Sequence, residues 1–189
     1  MNDFFADFHY WMFVVFLQFV PLDETDTGHR YHYTTNDKPG RMVIQTKDVN
    51  FENPDDLRWE FSAHIENSLF YADTFSTVIR HTPKDGLFFE QFSDNGFELI
   101  SDTGSVSIPD ITQGLLISVE DNKQLIPTKT KSKAKIKLDG EKFVCQKTVF
   151  TGDKHTISVY HDEMFGLLRV DIYHREYDVR REYTRSKNR

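Results

Sequence analysis

The sequence predicts an all-β protein: a single curved antiparallel sheet, half-barrel or barrel, of about ten strands, with the N-terminal segment as its main helix candidate. Three observations predict it. Turn signals recur at short intervals from residue 19 onward, among them "NDKPG", "NPDD", "PKDG", "SDNG", "LDGE", "TGDK" and "DEMFG". The segments between them are rich in Phe, Tyr, Val, Ile and Thr, which suit a pleated surface, and no fixed-period repeat interrupts the series. Several of those segments alternate apolar and polar residues with a period of two.

A chain of 189 residues is long enough for one domain with a substantial core. Residues 1–18 form an apolar N-terminal segment, and residues 19–189 read as one β domain. The net charge of −7 is unevenly placed: residues 1–94 hold 7 Lys/Arg against 16 Asp/Glu, residues 95–189 hold 16 against 14. An acidic balance argues against nucleic acid as a partner, because phosphate neutralisation needs a basic surface. The one cysteine, Cys145, forms no intramolecular disulfide, so cysteine usage leaves the redox compartment open.

The N-terminal run "FHYWMFVVFLQFVPL" is apolar on every side at helical spacing. It fits a signal-peptide core or a membrane-associating segment over residues 8–22, but a run of this length is more often buried core. Asp3 and Asp7 precede it where a signal peptide carries Lys or Arg, and no small-x-small cleavage site follows. The expectation is a packed first element that covers the concave face of the sheet.

"HRYHY" places His29, Tyr31 and Tyr33 on one face and Arg30 and His32 on the other, an aromatic strand and not a compact ligand set. "RWEFSAHI" places Trp59, Phe61, Ala63 and Ile65 inward, and Arg58, Glu60, Ser62 and His64 toward solvent. "PDITQGLLISVEDN" suits a helix or, given Gly114 and its β-branched residues, a strand.

In "KTKSKAKIKLDGEKFVCQK", Asp139-Gly140 reads as a two-residue hairpin turn, pairing Leu138 with Glu141, Ile136 with Phe143 and Ala134 with Cys145. Strict alternation then gathers Lys131, Lys133, Lys135 and Lys137 on the opposite face, where a solvated strand surface explains them without a polyanion. The same register buries Cys145, where a thiol stays protonated and inert.

In "HTISVYHDEMFGLLRVDIYH", a four-residue loop Glu163–Gly166 pairs Asp162 with Leu167, His161 with Leu168, Val159 with Val170, Ile157 with Ile172 and His155 with His174. His155 and His174 are the only candidate metal ligands brought together, and Asp153 or Glu176 are the only third ligands near in sequence. Cross-strand histidines at a sheet rim are commonplace, so the expectation is no metal and no cofactor. Asp162 and Glu163 lie in a turn, where carboxylates serve local hydrogen bonding and not acid/base catalysis. Nucleophile-elbow, phosphate-loop, zincin and calcium-loop patterns are absent from the sequence, so no catalytic residue is assigned.

"FVPLDETDTGHRYHYTTN" resembles the opening motif of bacterial envelope proteins, many of them lipoproteins of unknown function. There an apolar-Pro-Leu element is followed by a Gly and an aromatic-x-aromatic strand. "GEKFVCQKTVFTGDKHTISVYHDEMFGLLRVDIYH" is similar to their closing hairpins. The resemblance covers the two ends, about half of the chain. It implies a half-barrel like that of the lipoprotein-localisation carriers, with an apolar concave face for acyl chains and a place in the cell envelope or periplasm. The cytoplasm is the alternative, because no standard signal peptide is seen.

The leading functional expectation is a non-enzymatic binding module for a hydrophobic ligand, a lipid or acyl chain, in an apolar concave sheet. The alternative is a structural or protein-interaction domain with a filled core. A metal-dependent enzyme anchored on His155 and His174 comes third.

Overall fold

The computed structural model describes residues 3–22, 26–36, 41–66, 74–100, 104–108, 116–117 and 124–186. Among the described residues one α-helix, α1 (Asp3–Phe19), is followed by strands. The first set runs β1 (Arg30–Thr35), β2 (Arg41–Asn50), β3 (Leu57–Glu66), β4 (Thr74–Thr82), β5 (Gly86–Asp94), β6 (Phe97–Ile100) and β7 (Val106–Ser107). The short β8 (Leu116–Ile117) and β9 (Gln124–Leu125) pair with each other as a separate two-stranded sheet. The second set is β10 (Pro127–Leu138), β11 (Glu141–Thr151), β12 (His155–Asp162), β13 (Gly166–His174) and β14 (Val179–Arg185).

These strands form one antiparallel sheet that does not close, in the order β10-β11-β12-β13-β14-β1-β2-β3-β4-β5-β6, with β7 also on β5. Two meanders, each built from sequence neighbours, are therefore welded side by side through a single long-range ladder. In it Tyr33 pairs with Arg185, Thr34 with Thr184 and Thr35 with Tyr183. Of the "PDITQGLLISVEDN" stretch, Leu116 and Ile117 are strand and the other positions lie outside the described residues.

The alternation anticipated in β3 is present: Trp59, Phe61, Ala63 and Ile65 are buried, and their neighbours are half-buried or exposed. Tyr31 and Tyr33 are likewise buried and His29 and Arg30 exposed. The inner faces of the strands and α1 make one apolar core. Every side chain from Phe8 to Val20 is buried, so α1 has no solvent face from Phe8 onward and lies in the trough of the sheet. Its rings key into successive strands. Phe13 meets Phe75 and Phe92 at centroid distances of 5.6 and 5.7 Å, and Phe16 meets Tyr31, Tyr33 and Phe61. Phe19 meets Phe150 and His161. These tilted and edge-on contacts are the favoured geometries of aromatic pairs.

The β10/β11 turn is as the sequence predicts: Leu138 pairs with Glu141, Ile136 with Phe143 and Ala134 with Cys145. Asp139 and Gly140 both take positive φ, 49° and 87°, the requirement of a type I′ turn. The lysine face differs from the expectation. Lys131 pairs with Lys147 whereas Ala134 pairs with Cys145, so β10 carries an extra residue, a bulge, between them. The bulge turns Lys131 onto the face shared by Ala134 and Lys147, and leaves Lys135 and Lys137 on the other.

The β12/β13 hairpin departs from expectation at its tip. His155/His174, Ile157/Ile172 and Val159/Val170 pair as predicted, but His161 pairs with Leu167 and Asp162 with Gly166. The loop is one residue shorter than the pattern implies, because Asp162 Oδ1 accepts the backbone N–H groups of Met164 (2.9 Å) and Phe165 (3.2 Å). Gly166 follows in the left-handed region at φ 67°. Leu168 becomes the bulged residue that restores register.

Gly166 also abuts the helix end: a Cβ there would lie 2.8 Å from Pro21 Cδ. Gly166→Ala should therefore destabilise by about 2–4 kcal/mol, the sum of a left-handed alanine and an overpacked contact. Gly86→Ala, at φ 72° but facing open space, should lose only about 1–2 kcal/mol. Urea melts of the two variants check the difference, and equal losses would show that Pro21 yields freely.

Candidate functional site

Three places bring chemistry-bearing side chains together. The first is the interior. His9, on α1, is buried with Nδ1 2.7 Å from Tyr183 Oη and Nε2 3.4 Å from Arg181 Nη1. Arginine only donates, so Nε2 is the acceptor and Nδ1–H donates to the Tyr183 oxygen. Burial, helped by the Arg181 charge, lowers the His9 pKa to about 3. The imidazole is neutral, and its surroundings are the apolar core. Trp59 Nε1 donates to Leu22 O at 3.0 Å, tying the segment after α1 to β3.

The second is the histidine pair. His155 and His174 meet as the register implies, with ring centroids 4.6 Å apart and planes at 85°. Both are buried. Trp11 lies against His155, while Phe8 and Tyr177 lie against His174. Asp153 and Glu176 are exposed, and among the described residues no group of three or more His, Cys, Asp or Glu side chains gathers. The arrangement is an aromatic stack that closes one end of the core.

The third is on the face of the sheet turned away from α1. The β10/β11 hairpin packs a second, smaller apolar cluster there: Ala134, Ile136, Leu138, Cys145 and Leu168, flanked by Phe143 and Tyr160. Burial, and then the Asp162 charge, raise the Cys145 pKa. The thiol is 3 % exposed, so it should react with a maleimide far more slowly in the folded protein than in denaturant. Equal rates in the two solvents would contradict this burial.

Beside that cluster runs a groove of about 320 Å³ lined by Lys129, Lys131, Ala134, Lys135, Lys147, Val149 and Tyr160. The Tyr160 ring is its aromatic floor, with Lys147 Nζ 4.8 Å and the Arg169 guanidinium 5.3 Å from the centroid. The bulge in β10 makes this convergence, because it sets Lys131 opposite Lys147. Alternation alone does not reveal it. The pattern of lysines carried the charge signal, but nothing in "KTKSKAK" marks which residue bulges.

Among the described residues, three arginines of the sheet are ion-paired, and the lysines of the groove are not. Arg41 is held by Glu66, Arg80 by Asp56 and Glu90, and Arg169 by Asp171 and Glu182. A second surface hollow, lined by Asn50, Asp56, Arg58, Arg80, Glu90 and Gln91, holds both signs of charge, already paired. Among the described residues, Lys129, Lys131, Lys133, Lys135 and Lys137 have no carboxylate within ion-pair distance. They are exposed, so replacing Lys133 and Lys135 with Gln should change stability by less than about 0.5 kcal/mol in a urea melt. A loss of several kcal/mol would mean that these side chains carry packing.

Comparison of the chain with protein-family models, with curated proteins and with solved structures finds no match.

Proposed function

We propose that this chain is a non-enzymatic interaction domain that engages its partner through the outside of the sheet. One observation carries the reading: the concave face, where a half-barrel would hold a ligand, is filled by α1, whose side chains from Phe8 to Val20 are all buried. Burying a large apolar side chain is worth about 1.5–3 kcal/mol, so vacating the trough for an acyl chain would forfeit more than a domain's usual net stability of about 5–15 kcal/mol. The buried histidines support the same reading, since His9 is hydrogen-bonded to Tyr183 within the core and His155 and His174 pack against each other and against aromatic rings of α1.

A second reading keeps the apolar ligand. Among the described residues, α1 makes no backbone hydrogen bond to any strand, so a lipid chain could in principle take its place without breaking the sheet. No helix among the described residues is long and apolar enough to cross a membrane. Titration of the folded chain with a fluorescent fatty acid separates the two. No saturable signal is expected; saturable binding that a bulky substitution at Ala63 weakens, with the fold kept, would move the assignment to the apolar-ligand reading.

A further inference from the structure

We infer that the groove between β10 and β11 is a binding site for a compact ligand dense in phosphate groups, either a soluble phosphorylated compound or the headgroup of an anionic lipid. The inference rests on the reading that the outer face is the working surface, and it names the chemistry recognised there. Residues 127–154 hold 8 Lys against 3 Asp/Glu, whereas the rest of the chain holds 15 Lys/Arg against 27 Asp/Glu. One small region of an acidic protein is therefore strongly positive, and its field adds to a low-dielectric concavity, where it concentrates anions.

Edge protection is the competing explanation. β10 is the last strand of the sheet, paired only with β11 among the described residues, and lysines and bulges on an edge strand discourage pairing with another chain. That explains five lysines on β10. It does not explain Lys147, which is on the next strand in, nor why the bulge swings Lys131 directly opposite it across the groove. Of the two opposed lysine pairs of this hairpin, Lys137/Lys142 is exposed and outside the groove, whereas Lys131/Lys147 lines it, where a bound anion would relieve the repulsion between like charges. The opposite edge, β6, is protected without lysine, by being only 4 residues long.

The geometry also sets the class of ligand. Lys129, Lys131 and Lys147 share the groove's face, Lys135 borders it from the edge strand, and Ala134, Val149 and the Tyr160 ring complete the lining. Ammonium groups on long stems are point charges that suit clustered phosphates, where a planar carboxylate would call for arginine. A volume of about 320 Å³ fits a small cyclic polyol or a sugar bearing several phosphates.

The test uses inositol hexakisphosphate as the soluble probe, titrated calorimetrically into the full chain. Saturable one-to-one binding is expected, and it should weaken steeply as salt is raised. The charge reversal Lys131→Glu/Lys147→Glu should abolish it, and Lys147→Gln alone should weaken it by about tenfold, the worth of one charge-assisted hydrogen bond. The matched reversal Lys47→Glu/Lys84→Glu, at exposed positions outside the groove, should leave it unchanged. Vesicles with and without phosphatidylinositol 4,5-bisphosphate then separate the sources. Binding to the phosphoinositide vesicles, competed by the soluble probe, assigns a lipid headgroup, and no vesicle binding beside tight soluble binding assigns a free phosphate compound. Absence of saturable binding, or equal loss in both charge-reversed pairs, would overturn the site. Failure here removes the groove alone; the outer-surface reading falls separately, on saturable fatty-acid binding.

Discussion

A chain lacking residues 1–20 is expected to lose its cooperative unfolding transition and its near-ultraviolet aromatic signal. The reason lies on the strand side of the core. Tyr31, Tyr33, Phe61, Phe75, Phe89, Phe92, Phe150, Ile157, Val159, Val170 and Ile172 are buried in the cluster that contains α1. Without the helix the sheet still bears its own conformational entropy cost while its concave face is returned to water. If only half of the usual 1.5–3 kcal/mol is lost at each of roughly a dozen inner side chains, the deficit is about 9–18 kcal/mol. That matches or exceeds the net stability of about 5–15 kcal/mol typical of a domain. Circular dichroism and urea titration of the shortened chain check this, and a synthetic peptide spanning residues 1–22, added in trans, should restore the transition. A shortened chain with a sharp transition and native aromatic signal would show that α1 is a removable cover. The apolar-ligand reading would then lead.

The strand half of the architecture was legible because β-structure with one buried face writes itself with a period of two. Trp59, Phe61, Ala63 and Ile65 are the plainest case, and Asp139-Gly140 fixed a turn with no alternative geometry. The all-round apolar character of the N-terminal run gave its burial for the same reason. The pattern left two details open. The loop before Gly166 closes one residue early because Asp162 caps it, and although its carboxylate reads as a turn residue, alternation does not say where the turn closes. The β10 bulge sets Ala134 opposite Cys145 in the outer apolar cluster, and nothing local marks it. The joining of β14 to β1 pairs residues about 150 positions apart and draws on no short-range signal at all. The candidate groove was half legible: its lysines stand out in the sequence, but their convergence on Tyr160 depends on a single inserted residue.

Acid should destabilise the protein through His9. In the folded chain its imidazole has a pKa of about 3, and in the unfolded chain it returns to the ordinary value near 6.5. Between those values the unfolded state binds the proton and the folded state does not, so stability is complete above pH 6.5 and falls as the pH is lowered toward 3. The full difference is about 5 kcal/mol, of which about 2 kcal/mol is lost by pH 5. The cause is structural: the imidazole is buried in the core, where a charge loses its hydration, and its accepting Nε2 faces the Arg181 guanidinium at 3.4 Å, so a proton placed there would also oppose a fixed cation. Burial lowers the pKa of His161 as well, and that of His32, so these add smaller losses of the same sign. Replacing His9 with Gln keeps an acceptor and removes the titrating group. Urea melts at pH 7 and pH 5 should show the wild-type chain losing about 2 kcal/mol more between the two than His9→Gln does. Equal losses would mean that His9 takes up its proton in the folded state, and so that the helix end carrying it opens to water well before the sheet unfolds.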